Sequence, residues 1–248
     1  MIKFFRHIRQ QLLSQNRISK YMLYAVGEIV LVVIGILIAL SINNWNEAKQ
    51  TKEFEHKMLA ELKKALTYDL DFFENHLIGN RMQAERKAAE FFENYLLTDS
   101  IIKDSIDYHF VRLINGLQVT YNIGPYEALK STGIDKISND SLRNKIIDLY
   151  EFKLPRYSGL ISQWMDFTAG DMRKYHERLD GDTKYVIENS EISYTLELRP
   201  IDLKSNQDFI SLLSISSNRS KDIIVFLQSA MSFMEDVVGK IDKELNTN

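Results

Sequence analysis

The sequence has no cysteine, only three prolines and only ten glycines in 248 residues. Without cysteine, the chain has no disulfide, no thiolate metal site and no cysteine nucleophile. It also has no glycine-rich phosphate-binding loop and no Gly-x-Ser-x-Gly nucleophile elbow. Since these signatures of common enzyme classes are absent, we expect a protein that is not an enzyme and that binds no cofactor.

Charge is almost absent from residues 23–42, where Glu28 is the only ionisable side chain. A helix of about 20 apolar residues, at ~1.5 Å per residue, crosses a bilayer core of ~30 Å. Lipid offers no water to satisfy backbone groups, so such a segment must be helical. The pattern therefore predicts a transmembrane anchor over residues 21–46, with the lipid bilayer as its partner.

The flanks of this span predict its orientation. Basic residues beside a first span stay in the cytoplasm, because crossing is costly and anionic lipids hold them there. This places the N-terminus inside and residues 47–248 outside the cytoplasm. A cleaved signal peptide is the alternative, with Ala39-Leu40-Ser41 as its site, but the apolar run exceeds the ~7–15 residues of a signal core. The basic residues before the span are Lys3, Arg6, Arg9, Arg17 and Lys20.

Residues 1–20 also carry apolar side chains at helical spacing, with basic residues between them. This pattern predicts a cytoplasmic, basic amphipathic segment that lies in the headgroup layer. Lipid anchoring explains the segment fully, and contact with a cytoplasmic protein is the alternative. The apolar positions are Ile2, Phe4, Phe5, Ile8, Leu12 and Leu13.

The remainder of the chain is acidic. Of 31 basic and 34 acidic side chains, five basic and one acidic lie in residues 1–46, which leaves residues 47–248 with a net charge of −7. Nucleic-acid binding needs clustered Lys and Arg, so we expect no nucleic-acid partner. About two hundred residues are enough for one hydrophobic core or two small ones.

Apolar residues at steps of three and four predict an all-α fold for residues 47–248, a helical bundle outside the cytoplasm. The first helix runs to about Ile78, with a break at Gly79-Asn80. Later breaks are predicted at Pro155 and between two closing helices, and residues 185–198 favour a small β-hairpin. The further helices are predicted over residues 81–97, 106–114, 124–133, 140–150, 157–178, 206–215 and 220–245.

The run GEIVLVVIGILIALSINNWNE from Gly27 resembles the opening of a family of uncharacterised Bacteroidota membrane proteins. Residues 126–133, YEALKSTG, with the following Ile137-Ser-Asn and Leu142-Arg143, are similar to the central pattern of that family. The resemblance implies an inner-membrane protein with a periplasmic helical domain. It supplies no catalytic residues, because the family is a domain of unknown function.

Glu28 is a functional candidate because a carboxylate within an apolar span is costly. On a helix it shares a face with Gly35 and Ala39, a small-x-x-x-small pair that permits close packing. We therefore predict association of the anchor with a protein partner or a second copy through this face. Contact with headgroups or with Arg17 or Lys20 is the alternative, and one acid alone makes no proton relay.

Glu53 and His56 have the spacing of half a di-iron bundle site. Such a site needs a second Glu-x-x-His pair, and none of His76, His109 and His176 has a glutamate three residues before it. We expect a solvated helix face here and no metal site.

Six residues near the middle of the chain are candidates for lining a ligand pocket between two helices. The alternative assigns Tyr126 and Leu129 to the core, Gly133 to a helix end with positive φ, and the charged groups to the surface. The six candidates are Tyr121, Tyr126, Glu127, Lys130, Ser131 and Arg143.

Two function classes fit these patterns. One is a membrane-anchored scaffold or assembly protein that presents a helical periplasmic domain and has no catalytic activity. The other is a periplasmic small-molecule sensor that signals through a partner protein, because only about twenty residues lie inside the cytoplasm.

Overall fold

The computed structural model describes residues 18–98, 100, 102–188 and 191–246, and the chain divides into two compact units, Met1–Glu55 and His56–Asn248. Most of the amphipathic segment predicted over residues 1–20 lies outside the described residues.

The described part of the first unit is helical throughout and belongs to α1 (Ile18–Asp71). From Met22 onward this helix is long and apolar enough to cross a membrane. Its large apolar side chains between Met22 and Trp45 are all exposed, as lipid contact requires. The N-terminal helix that the sequence predicts is therefore present.

The second unit is a helical bundle with one small hairpin, which confirms the predicted fold class. After α1 come a π-helical segment Phe72–Met82, α2 (Gln83–Thr98), α3 (Ile106–Phe110) between 3-10 turns, α4 (Gly124–Thr132), α5 (Asp140–Asp148), a second π segment Leu149–Lys153, α6 (Leu154–Leu179), β1 (Asp180–Glu188), β2 (Glu191–Leu198) and α7 (Gln207–Asn246). The helix α7 packs along both α2 and α6, and the hairpin packs on α3.

The predicted apolar stripe of α1 is buried, with Leu59, Leu62 and Leu66 fully inaccessible to solvent. Each such leucine contributes about 1.5–3 kcal/mol of hydrophobic stabilisation relative to the exposed side chain. In a core cluster that joins α2, α3, α6 and α7, Phe92 and Phe209 meet edge to face with ring centroids 5.1 Å apart. Helices from both halves of the sequence therefore contribute to the core.

The break predicted at Gly79-Asn80 is wrong, because the chain stays helical there in the π segment. Its buried residues Phe73, Ile78 and Met82 recur every four to five positions, which is the wider period of a π-helix. A Cβ at Gly79 would lie 3.1 Å from the Glu74 carbonyl oxygen. Glycine fits this tight turn because it has no Cβ.

The interruption predicted at Pro155 is also wrong. Pro155 occupies the first turn of α6, where a backbone N–H has no helical acceptor and its loss costs little. The second π segment joins α5 to α6 without a loop. The Asn139 side chain caps α5 by accepting from the Leu142 amide at 3.1 Å. Gly133 ends α4 with φ of 116°, as the sequence predicts.

The two closing helices are one continuous helix, α7, which corrects the predicted break near residues 216–219. Three polar residues there, Ser217, Arg219 and Ser220, are buried and hydrogen-bonded rather than exposed. The Ser220 hydroxyl donates to the Ser217 carbonyl oxygen at 3.1 Å, and Arg219 binds Glu85 of α2. A polar run that resembles a loop in the sequence is therefore the inward face of a helix.

The predicted hairpin is confirmed and is longer than expected. Its antiparallel strands pair Tyr185 with Tyr194 and Ile187 with Ile192, with an irregular register near Asp180. The hairpin remains close to the bundle because the Leu198 amide donates to the Asp107 carboxylate at 2.9 Å.

Candidate functional site

Tyr126 and Lys130, two residues of the predicted pocket, meet at one carboxylate of the second π segment. The Tyr126 hydroxyl and the Lys130 ammonium group each donate to Glu151 Oε1 at 2.7 Å. Burial, and then the bond to Glu151, raise the pKa of Tyr126. Its ring is buried and stacks on Tyr150 with centroids 4.7 Å apart. These contacts tie α4 to the bundle.

The other four candidates are arranged around this contact. Arg143 donates to the Ile137 carbonyl oxygen at 2.9 Å, and the Ser131 hydroxyl donates to the Ala128 carbonyl oxygen at 2.9 Å. Glu127 is exposed and Tyr121 is half-buried. Two of the six residues therefore share a partner, and a ligand pocket at this patch stays a prediction.

The membrane-helix candidates Glu28, Gly35 and Ala39 are all exposed on α1. A Cβ built at Gly35 meets nothing within 4 Å, so this face is free for close approach by another helix. Association through this face stays a prediction.

For metal binding, Glu53 is exposed and lies 3.9 Å from Lys49, as expected for a solvated helix face. His56 departs from that expectation, because it is half-buried and its Nε2 is inaccessible to solvent. Within the described parts of the chain, no three His, Asp or Glu side chains are grouped so that they could hold a metal ion. The expected absence of a metal site stays a prediction.

A buried ion pair lies between α2 and α7. Arg219, 3% exposed, donates from Nε and Nη2 to Oε1 of the fully buried Glu85 at 3.1 and 2.8 Å. Its Nη2 also donates to the Asn115 carbonyl oxygen at 2.8 Å. Burial raises the pKa of Glu85 to about 7, although Arg219 acts in the opposite direction. This pair joins two helices to the segment that follows α3.

A cavity of about 270 Å³ lies beside this pair and is lined by Met172, Arg173, His176 and Arg219 among others. The His176 ring is stacked on Phe110 with centroids 4.6 Å apart, and its Nδ1 lies 2.7 Å from an Asp180 carboxylate oxygen. Its Nε2 is buried and has no hydrogen-bond partner in the described structure. The cavity could therefore hold a small ligand with a polar group.

One aromatic side chain is exposed and two are half-buried where α6 and α7 lie side by side. Phe167 is 79% exposed, and Trp164 and Phe226 are half-buried. All three line a cavity of about 290 Å³ together with Leu160 and Gln163. We call Leu160, Trp164, Phe167 and Phe226 the aromatic strip.

A groove of about 550 Å³ separates the first π segment from the chain that follows α3. We call it the π groove, and Phe72, His76, Leu77 and Arg81 lie on one side, with Gly116, Leu117 and Gln118 on the other.

Sequence reasoning missed these surfaces, although part of the signal was present. Residues 117–121 alternate apolar and polar side chains, which is the pattern of a strand. The aromatic strip was hidden because Trp164 and Phe167 sit at helical spacing and look like core residues.

Comparison with known proteins gives one match, to a protein family. No curated protein and no solved structure matches it. A model of a family of unknown function, DUF6090, matches residues 28–221, from within the apolar span to α7. Because this match covers well over half of the sequence and agrees with the resemblance to an uncharacterised family, the chain belongs to the DUF6090 family of unknown function.

Proposed function

We propose that this protein is a membrane-anchored scaffold without catalytic activity whose helical unit binds a protein partner. Its anchor lies in the inner membrane of a Bacteroidota bacterium, with the N-terminus in the cytoplasm and the helical unit in the periplasm. The five basic residues before the span support this orientation. The resemblance of the anchor run to Bacteroidota membrane proteins supports the location.

The aromatic strip is the observation that carries the proposal. Large aromatic side chains dominate the energy of protein interfaces, and a contiguous exposed apolar patch marks such surfaces. Phe167 is nearly as exposed as in an unfolded chain, although its helix buries Ile161 and Met172 in the core. A partner that covers Phe167, Trp164 and Phe226 would remove this apolar surface from water.

Crosslinking in living cells tests partner binding. A photoreactive phenylalanine analogue at Phe167 should crosslink to a second protein, and the same analogue at the exposed Lys87 of α2 should not. Phe167→Ser should remove the partner that co-purifies with wild-type protein, whereas Lys87→Ser should retain it. Equal crosslinking at both positions would contradict a specific strip.

Reporter fusions test the orientation. A periplasm-active reporter after Asn248 should be active, and the same reporter before Met1 should be inactive. The reverse result, or recovery of residues 42–248 as a soluble mature protein, would contradict the single-pass anchor.

A periplasmic sensor is the second candidate function, and the cavity beside Arg219 and His176 favours it. A buried imidazole nitrogen without a partner is costly, and a bound ligand would satisfy it. Small molecules that bind there should raise the melting temperature of wild-type protein but not of Met172→Trp, whose larger side chain would fill the cavity.

A further inference from the structure

Residues 115–123 link the turn after α3 to α4 and form neither helix nor sheet. Two contacts hold this segment beside α1 and the π segment: Arg81 Nη1 donates to the Gly116 carbonyl oxygen at 3.3 Å, and the Asn122 amide donates to Asp69 Oδ2 at 2.8 Å. The two contacts occur in opposite order along the two segments, since Arg81 contacts Gly116 and Asp69 contacts Asn122, so the segment runs antiparallel to the helix. Residues 116–122 span about 20 Å when they are extended.

The side chains confirm the strand geometry. Burial alternates from Gly116 to Tyr121, with odd-numbered residues half-buried and even-numbered residues exposed. The backbone contacts alternate in the same way. The Val119 carbonyl oxygen accepts from Ser158 of α6, whereas Gly116 and Asn122 contact the opposite side.

In an extended chain the N–H and C=O of one residue point to the same edge, and successive residues point to opposite edges. Gln118 and Thr120 therefore direct their backbone groups to the same side as Gly116, which is the side of the π groove. Neither residue makes a backbone hydrogen bond to any part of the protein that the structure describes. Two N–H donors and two C=O acceptors on this side thus have no backbone partner among the described residues, and Gln118, which carries one of each, lines the groove.

An unpaired strand edge is a template for another strand. The opposite wall of the groove adds apolar contact from Phe72 and Leu77. It also adds Arg81, whose guanidinium has five N–H donors and makes one hydrogen bond, to Gly116, in the described structure. No described carboxylate lies within ion-pair distance of Arg81, so the groove has a cation to offer to a ligand.

We propose that the π groove binds an extended peptide of a protein partner, which adds as a strand to Gln118 and Thr120 and places a carboxylate on Arg81. This mode of recognition combines backbone pairing, which gives affinity, with side-chain contacts, which give specificity. The inference rests on the proposed scaffold function, since it defines the chemistry of a partner. It uses a surface separate from the aromatic strip.

Selection of short random peptides by phage display on the full-length protein in lipid nanodiscs tests the proposal. One library carries internal peptides and the other carries free C-termini, which distinguishes an acidic side chain from a terminal carboxylate. We expect enriched peptides to contain a carboxylate, and to lose affinity in Arg81→Gln but keep most of it in Arg81→Lys.

A proline substitution tests the backbone pairing itself. Gln118→Pro removes one N–H that makes no bond in the free protein, and proline tolerates an extended edge. It should weaken binding of the enriched peptides about tenfold, the effect of one lost hydrogen bond. Gln118→Ala keeps the N–H and should bind as wild type does. Unchanged melting temperatures in both variants show that the fold is intact.

Hydrogen exchange gives an independent measurement. The amides of Gln118 and Thr120 should exchange rapidly in the free protein and become protected with an enriched peptide. Failure to enrich any peptide, equal affinity in Gln118→Pro, or protection of these amides without peptide would overturn the proposal. Phe167→Ser should leave peptide affinity unchanged, because Phe167 does not line the π groove. Loss of the co-purified partner in that variant therefore tests the scaffold function independently of peptide binding.

Discussion

The ion pair of Glu85 and Arg219 shows what a single buried charge does in this bundle. Removing a carboxylate from water costs several kcal/mol, and a close cation offsets only part of that cost. The net result is that the pKa of Glu85 is raised to about 7, with burial as the main cause. The pair therefore makes stability sensitive to pH near neutrality.

Because the pKa of Glu85 is higher in the folded protein than its ordinary value of 4.5, the folded protein keeps a proton that the unfolded chain has released. The free energy of unfolding should therefore fall as the pH rises between about 4.5 and 7, by about 3 kcal/mol from this group. Glu85→Gln cannot ionise, so its free energy of unfolding should fall less over this range.

Urea unfolding of the detergent-solubilised protein, followed by circular dichroism from pH 5 to 8, measures this difference. Glu90→Gln is the control, because Glu90 is an exposed carboxylate on the same helix. A pH dependence that is the same in wild type and Glu85→Gln would show that Glu85 is ionised throughout.

Among the secondary-structure elements, the π segment differs most from an ordinary helix. Its turns are wider than α-helical turns, and π geometry occurs often at functional sites. Gly79 fits because a Cβ would approach the Glu74 carbonyl oxygen to 3.1 Å. The segment forms one wall of the π groove, so its geometry shapes the surface that we propose binds a peptide.

Alanine substitutions at two helical glycines test this geometry. Gly239→Ala in α7, where a Cβ meets nothing within 4 Å, should stabilise the protein by about 0.5–1 kcal/mol. Gly79→Ala should give no such gain, because the close carbonyl oxygen offsets the helix propensity of alanine. Thermal unfolding measures both, and equal stabilisation would contradict a tight turn at Gly79.

The apolar N-terminal part of α1 is predicted to associate with another helix through the face that contains Gly35. Lipid tails are as apolar as Leu or Ile, so paired helices gain mainly from close packing and from polar contacts of ~0.6–2 kcal/mol. Gly35→Ile should therefore weaken association of the anchor more than Glu28→Gln, and Ile36→Phe on another face should have little effect. A membrane two-hybrid assay in the native orientation measures this, and equal signals from all variants would show that the anchor acts alone.

Helices whose residues repeat at a regular period could be predicted from the sequence, and elements that depend on distant partners could not. The stripe of Leu59, Leu62 and Leu66 placed α1 correctly, because burial follows the helical period. The continuity of α7 was missed because Arg219 is buried only in the presence of Glu85, 134 residues away. The π groove was missed for the same reason, since Gln118 gains its role from the position of the π segment.

For the whole molecule, two units with different surroundings share one chain. The residues of the first unit between Met22 and Trp45 expose their apolar side chains, whereas the second unit buries its own from Met58 to Ile241. Every buried apolar side chain in the described part of the chain therefore belongs to the second unit, which has the size of an ordinary domain.

A fragment of residues 47–248 should therefore fold alone, with strong helical circular dichroism, because it contains every buried residue of the second unit. A fragment that starts at Gln83 should not fold, since it lacks Leu59, Leu62, Leu66, Phe73 and Met82 from the core. We further expect the melting temperature of the 47–248 fragment to be the same with and without a metal chelator, because Glu53 is exposed and no three described His, Asp or Glu side chains are grouped to hold a metal ion. A chelator-induced drop of several degrees would reveal a structural metal ion, because metal binding contributes directly to folding free energy.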